Sequence, residues 1–372
     1  MKKVCIITAA RSEYGLLRWV IDGVYNNNEL VLQLVVTGTH LSEEHGNTVK
    51  FIEEDGYPIA ARVDMHLTFD KKSDLVRSMG HCSIGFADVF AELKPDIVVV
   101  LGDRYELLPI VSAALVMNIP VAHISGGDVT EGAIDNQVRN AVTMMSSLHF
   151  PGTKPSYDNI CRMIGTTANV YVTGETNIDS FEHYQLLSRK ELSESLNIAQ
   201  NRKWVLVTLH PETKISLEAN LTMAHDLIVA LQSLDAEIVI TQANADFGGA
   251  QMNEIFKKAA TENPSIYFIP TSGQMRYLSF MKEVECVIGN SSSGIVETPH
   301  LGVPTVNIGD RQKGRYLCPN IISCDRSFSA MKESIESAMN HGKYESNNYF
   351  GDGHASEIIV DTITKFINNH SI

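Results

Sequence analysis

Six short segments bring together residue types that can move protons or hold phosphate. In Ala9-Ala10-Arg11-Ser12-Glu13-Tyr14-Gly15, Arg11 offers a planar fork of donors suited to a phosphate; read as structure, Ser12 caps a helix. Gly102-Asp103-Arg104-Tyr105-Glu106 groups two acids and an arginine, either an acid/base set or a helix start capped by Asp103. His123-Ile124-Ser125-Gly126-Gly127-Asp128 is followed by Asp135 and Arg139. Its paired glycines permit close backbone approach, and Asp135 and Arg139 share a helix face, as site residues or as a surface ion pair. Leu209-His210-Pro211-Glu212-Thr213 carries a histidine that can titrate near neutrality or serve structure alone. Gly289-Asn290-Ser291-Ser292-Ser293-Gly294, with Glu297 one turn further, sets three hydroxyls between glycines. At a helix start its N–H groups and the helix dipole favour an anion, whereas a simple cap needs one serine. No lysine follows the glycine, so it is not a Walker A loop. Asp310-Arg311-Gln312-Lys313-Gly314-Arg315 gathers three cations in a chain of net charge −14.

Each segment follows an apolar run that reads as a strand buried on both faces. In the first half, strands at 3–8, 30–37, 96–101, 120–124 and 170–173 alternate with helices at 16–24, 73–93, 107–117 and 135–146. The rhythm restarts after the polar stretch 180–203, which holds a helix and the interdomain link. Strands then fall at 204–209, 237–241, 265–269, 286–289 and 305–308, with helices at 217–233, 250–261, near 292 and 355–368. Alternation at this spacing implies parallel sheets covered by helices. The expected fold class is α/β, with two Rossmann-like doubly wound domains and an interdomain cleft. Ligands of such sheets bind at the carboxyl ends of the strands. The boundaries expected are 1–180, 181–352, and a terminal helix within 353–372 packing back on the first domain.

A length of 372 residues suits two domains of about 150 each. The acidic balance argues against nucleic acid and anionic membrane as partners. No apolar run reaches the ~20 residues that span a bilayer. The opening MKKVCIITAARSEYG reads as a buried first strand, not a signal peptide, because Arg11 and Glu13 interrupt it. Six cysteines without a CxxC pair read as reduced thiols of a cytoplasmic protein. No metal site or cofactor motif is visible, and there is neither internal repeat nor low-complexity segment.

Taken in order, the six segments, with Asn244-x-Asp246-x-Gly248, resemble the hydrolysing UDP-N-acetylglucosamine 2-epimerases. The resemblance runs from Val4 to about Phe366 and is nearest to the bacterial enzymes of sialic and legionaminic acid synthesis. It implies a glycosyltransferase-B-like fold, no cofactor, a UDP-sugar substrate, UDP as product, and a homodimer or homotetramer. It also implies conversion of UDP-N-acetylglucosamine and water to N-acetylmannosamine and UDP. UDP leaves C1 as a proton leaves C2; water then adds at C1 and a proton returns to C2 on the other face.

By that resemblance, Asp103 and Asp135 are the acid/base carboxylates and His210 touches the sugar or the leaving phosphate. Arg11, Ser291 and Ser292 hold the diphosphate, Glu297 the ribose hydroxyls, and Arg311 helps neutralise the leaving group. Asn244 lies near the nucleotide, Ser272 and Tyr277 line the uracil pocket, and Gly102, Arg104 and Arg139 complete the substrate-binding set. Ser125 stands where many relatives have Glu and some His, and Asn140 where many have His. A serine cannot act as a general base at neutral pH, so Asp128 is the expected replacement. These departures point to a modified sugar, UDP-2,4-diacetamido-2,4,6-trideoxyglucose, as the alternative substrate. A sugar transferase, a non-catalytic nucleotide-sugar sensor and a non-hydrolysing epimerase are the other readings.

Overall fold

The computed structural model describes residues 1–43, 46–68, 72–129, 134–244, 246–270 and 273–369. The chain divides into two compact units, Met1–Asp179 with Gly351–Ile372, and Ser180–Phe350.

The first unit holds β1 (Lys2–Thr8), α1 (Arg11–Tyr25), β2 (Leu30–Thr37), α2 (Val49–Glu54), β3 (Ile59–Val63), α3 (Lys72–Leu93), β4 (Ile97–Leu101), α4 (Leu107–Val116), β5 (Val121–Ile124), α5 (Asp135–Met144), β6 (Leu148–Phe150) and α6 (Lys154–Ile164). The second holds α7 (Ser180–His183), α8 (Arg189–Leu196), β7 (Lys203–Thr208), α9 (Leu217–Leu231), β8 (Ala236–Thr241), α10 (Gly249–Glu262), β9 (Ile266–Ile269), α11 (Gln274–Glu283), β10 (Cys286–Gly289), α12 (Ser293–Leu301), β11 (Thr305–Ile308), β12 (Ile321–Cys324) and α13 (Phe328–His341). The chain ends in the first unit with α14 (Ala355–Asn369).

Both sheets have six parallel strands, β3-β2-β1-β4-β5-β6 and β12-β11-β10-β7-β8-β9. Numbered within its own unit, the second sheet repeats the order of the first. Each is a doubly wound α/β sheet whose winding reverses between its two central strands, β1 and β4 or β7 and β10. Loops splay apart at such a reversal and leave room for a ligand.

Alternation along the strands builds a core on each face. Val4, Ile6, Ile97 and Val99 pack with Leu17, Val20 and Ile21 of α1 and Ile359 and Ile363 of α14. Cys5, Ile7, Val98 and Val100 face the other way, against Phe86 and Phe90 of α3 and Ile110 of α4. In the second unit Val205 and Val207 meet Met223 and Leu227 of α9, Phe256 of α10 and Ile335 of α13. Trp204 and Leu206 meet Leu192 of α8 and Phe280 of α11. Full burial of such a side chain contributes about 1.5–3 kcal/mol. Among the described residues no helix is long and apolar enough to cross a membrane.

Two sequence expectations need correction. The strand expected at 170–173 is a single bridge from Val170 to His149, and Tyr171 and Val172 are exposed. Its β-branched run has no further partner strand to pair with. The helix expected over 16–24 begins at Arg11, with Ala10 at the N-cap position and no side-chain cap, so the alternative reading of Ser12 as its cap does not hold.

Candidate functional site

In the first unit the loops after β1 and β4 leave the sheet side by side. Glu13 reaches back from α1 and its Oε2 accepts the Ala9 N–H at 2.7 Å. Arg104 turns inward and donates to Glu106 Oε1 at 2.5 Å. Glu13 and Glu106 are both buried. Burial pushes the Glu13 carboxyl up to about 7, opposed in part by the charge of Arg104 and the Ala9 N–H. Across the two central loops, Arg104 and Glu106 act on Glu13 through their charges. Arg11 opens α1 on the surface, with its guanidinium 4.7 Å from the centre of the Phe51 ring.

Asp103 sits just beyond β4, and Arg139 bonds its Oδ2. The Arg139 side chain is 7% exposed, and its Nη1 also donates to the Asp128 carbonyl at 2.8 Å. Asp135 opens α5 one turn before Arg139 and is half-buried. The helix thus aims its arginine at the rim of β4. Gly102 is fixed from below by His123, whose Nε2 lies 2.8 Å from the Gly102 carbonyl. A carbonyl only accepts, so Nε2 carries the proton and Nδ1 accepts from Thr143 Oγ1 at 3.1 Å. Burial lowers His123 to about 3, which keeps it neutral and makes it a structural histidine.

Ser125 follows β5 in the left-handed region, with φ 57°. Its Oγ donates to Glu175 Oε2 at 3.0 Å. Asp128 Oδ1 accepts from Ser156 Oγ. The acid expected to replace a carboxylate at position 125 is therefore engaged by α6, while a different carboxylate touches Ser125 itself.

In the second unit the loops after β7 and β10 are stitched across the winding reversal. The His210 N–H donates to Asn290 Oδ1, and Asn290 Nδ2 donates to the His210 carbonyl, both at 2.8 Å. The Asn290 carbonyl accepts from Arg311 Nη1 at 3.1 Å and Gln312 Nε2 at 2.9 Å. His210 Nδ1 accepts the Asn244 N–H at 3.1 Å. Burial and then the charge of Arg311 lower His210 to about 4. At neutral pH the ring is uncharged and its proton lies on Nε2, so His210 presents a hydrogen-bond donor.

Gly289 turns the chain into the serine loop at φ 141°, where a Cβ would lie 2.0 Å from the Thr208 carbonyl oxygen. Only glycine fits so close to β7. Ser292 takes the N-cap position of α12, is exposed, and makes no side-chain cap bond. Ser291 Oγ lies 2.9 Å from Ser293 Oγ, which lies 2.6 Å from the Tyr277 hydroxyl. Tyr277, expected at a uracil, has its hydroxyl tucked beside the serine loop and 3.3 Å from Thr208 Oγ1. Glu297 is half-buried one turn into α12. Asn244 Nδ2 donates to Asp246 Oδ2 at 2.6 Å. Ser272 lies outside the described residues.

Three residues to which the motifs assign no role shape the loops of the two units. Glu212, buried, accepts from Arg326 Nη2 at 2.6 Å and from the Asp310 N–H at 3.2 Å, locking the loops after β7 and β11 together. No spacing links Glu212 to Arg326, which are 114 residues apart. Glu175 follows the apolar run at 170–173, and the rule that sites follow strands applies to it as it did to the other six segments. Among the described residues no group of three or more His, Cys, Asp or Glu is arranged to hold a metal ion.

Comparison with known proteins adds findings on family, on relatives and on fold. The model of a family described as UDP-N-acetylglucosamine 2-epimerase matches residues 23–364. The GDP/UDP-N,N'-diacetylbacillosamine 2-epimerase (hydrolyzing) of Campylobacter jejuni is 36% identical over 337 residues, 90% of this chain and 87% of that protein. The UDP-N,N'-diacetylbacillosamine 2-epimerase (hydrolyzing) of Legionella pneumophila is 29% identical, over 96% of this chain and 94% of that one. In fold, the chain is similar to the crystal structure of UDP-GlcNAc 2-epimerase from Neisseria meningitidis bound to UDP-GlcNAc. The TM-score is 0.79 at 22% identity, covering 98% of this chain and 100% of that chain.

Proposed function

The chain belongs to the UDP-N-acetylglucosamine 2-epimerase family, and on that premise we propose that it is a hydrolysing 2-epimerase. It splits a UDP-linked 2-acetamido sugar with water into UDP and the free sugar inverted at C2. The observation that carries this reading is the carboxyl rim of the second sheet. There Ser291 and Ser292 precede α12, His210 presents an Nε2 donor, and Arg311 is held beside both by Asn290. Donors, a helix N-terminus and a cation at one sheet edge suit a departing diphosphate. Asp103 and Asp135 of the first unit then carry proton transfers at the sugar, with Arg139 holding Asp103 in place.

The sequence placed UDP-N-acetylglucosamine first among substrates. The Campylobacter and Legionella relatives, both named for the diacetamido sugar, support UDP-2,4-diacetamido-2,4,6-trideoxyglucose better. Ser125, small and uncharged, supports the same choice. The test measures UDP release from both UDP-sugars without an acceptor, with the product identified by NMR. We expect the 2-epimer of the diacetamido sugar, at a kcat/KM at least ~10-fold above that for UDP-N-acetylglucosamine. Equal rates would move the substrate back to UDP-N-acetylglucosamine. Turnover only with an added acceptor would make the protein a transferase, and tight binding without UDP release would make it a sensor.

A further inference from the structure

We propose that Glu175 is an acid/base carboxylate of this site, held at the sugar by Ser125. The inference rests on the hydrolysing 2-epimerase reading and adds a residue to it.

Ser125 follows β5 on the same rim as Asp103, because the Gly102 N–H donates to the Ile124 carbonyl at 2.9 Å. Serine seldom occupies the left-handed region, and such backbone persists where surroundings enforce it, often at functional sites. What the strained serine does is donate its Oγ–H to Glu175 Oε2 at 3.0 Å. Glu175 is half-buried and its place is built by a neighbour. A Cβ on Gly152 would lie 2.0 Å from Glu175 Oε1 and 2.5 Å from its Cδ, so a side chain at 152 would displace this carboxylate from its present position. The segment carrying it is anchored along β6 by Tyr171 N–H to the His149 carbonyl at 2.9 Å and Thr173 N–H to the Pro151 carbonyl at 3.1 Å. A serine hydroxyl is too weak a base to take a carbon-bound proton at neutral pH. The carboxylate it orients is not.

In the proposed step a Glu175 oxygen takes the C2 proton. The C2–H electron pair becomes the C1–C2 double bond, and the C1–O pair leaves with UDP. Water then adds its hydroxyl at C1, a carboxylic acid on the opposite face protonates C2, and the water's remaining proton restores that acid. Glu175 returns its proton to solvent.

The test uses the full chain with Glu175→Gln, Glu175→Asp and Ser125→Gly. Glu175→Gln should lower kcat by about 10²-fold, with KM and calorimetric UDP affinity nearly unchanged. It should also flatten the acid limb of the kcat profile, since the base must be ionised. Glu175→Asp should recover part of the rate and the limb. Ser125→Gly relieves the backbone strain, so it should keep or raise the melting temperature and yet lower kcat by about 10-fold. A purely structural Glu175 could not give that combination. Wild-type kcat in Glu175→Gln overturns the inference. If Glu175→Gln does not fold, Ser125→Gly decides alone, and full kcat there overturns it. Wild-type protein that releases no UDP from either sugar would remove the epimerase reading and this inference together. Active wild type with indifferent variants would remove this one only.

Discussion

Asn290 and His210 hold each other by two hydrogen bonds of 2.8 Å, Asn290 Oδ1 from the His210 N–H and Asn290 Nδ2 to the His210 carbonyl. The bond pair crosses the point where the second sheet reverses its winding, joining the loop of β7 to that of β10. It explains why an asparagine precedes three serines: the asparagine sets the histidine beside the serine loop. With Nδ1 occupied by the Asn244 N–H, only Nε2 is left to address a substrate, and it can only donate while the ring is neutral.

The first prediction concerns that proton. His210 should remain the neutral Nε2–H tautomer at pH 6 and protonate only near its lowered value of about 4. Nitrogen-15 NMR of labelled histidine would check it, and an imidazolium signal for His210 at pH 6 would remove the donor assignment. Asn290→Ala should free the loop and lower kcat by roughly 10-fold, because the donor is no longer preorganised. Full activity in that variant would separate the clasp from function.

A second prediction follows from buried titratable groups of opposite sign. Burial lowers His40, His149 and His210 to about 4 and His123 to about 3, from an ordinary 6.5. Between those values and 6.5 the unfolded chain binds more protons, so stability rises with pH. The histidine contribution is complete above pH 6.5 and is lost as pH falls through the folded values. Glu13 behaves in reverse: raised from 4.5 to about 7, its contribution is complete below 4.5 and lost as pH rises through 7. Four groups outweigh one, so the urea midpoint should climb from pH 4.5 to 6.5. Glu13→Gln should steepen that climb. A midpoint that falls over this range would contradict the sign.

Glu212 and Arg326 supply a third. The Glu212 side chain is 4% exposed and that of Arg326 30%, so removing the arginine strands a carboxylate inside the protein. Breaking one partner of a buried pair costs about 3–5 kcal/mol, and the exposure of Arg326 places this pair at or below the lower end. Arg326→Leu should lower the urea midpoint, and adding Glu212→Gln should restore part of the loss. If Arg326→Leu left stability and UDP affinity at wild-type values, the pair would not be what fixes the His210 and Asp310 loops.

Much of this architecture is legible in the sequence because the central strands are unbroken apolar runs. Ile97–Leu101 is buried at every position, and each of the six motifs follows a strand of this kind. The edges are harder. β3 alternates half-buried and exposed residues, and β12 is three-quarters half-buried, so neither carries the signal of a covered strand. The run at 170–173 has the composition of a strand and lacks the partner. Within the site, Asp103, His210 and the serines could be located by position. Their supports could not, because Ser125 meets Glu175 across 50 residues and Glu212 meets Arg326 across 114. Pairings of that kind are made by the fold and leave no spacing to read.

The last prediction concerns Asp103, whose carboxylate is held by a nearly buried arginine one turn into α5. Abstraction or return of a proton at C2 needs a carboxylate fixed in direction, since the carbon acid is weak and a misplaced base loses most of its effect. Arg139 supplies that fixity by bonding Asp103 Oδ2 and, through Nη1, the Asp128 carbonyl. Asp103→Asn keeps an oxygen for Arg139 but removes a carboxyl that can carry a proton, so the fold should persist while kcat falls by at least ~10²-fold. Asp135→Asn should show a similar loss, and UDP affinity should stay nearly unchanged in both, because neither residue lies on the rim assigned to the diphosphate. Arg139→Met should lower kcat as well, and combined with Asp103→Asn it should add far less than its separate effect, since the two act as one unit. Turnover by wild type in D₂O should place deuterium at C2 of the product. Product without that deuterium would rule out elimination at C2, whereas wild-type kcat in Asp103→Asn would leave the mechanism standing and move this proton transfer to another residue.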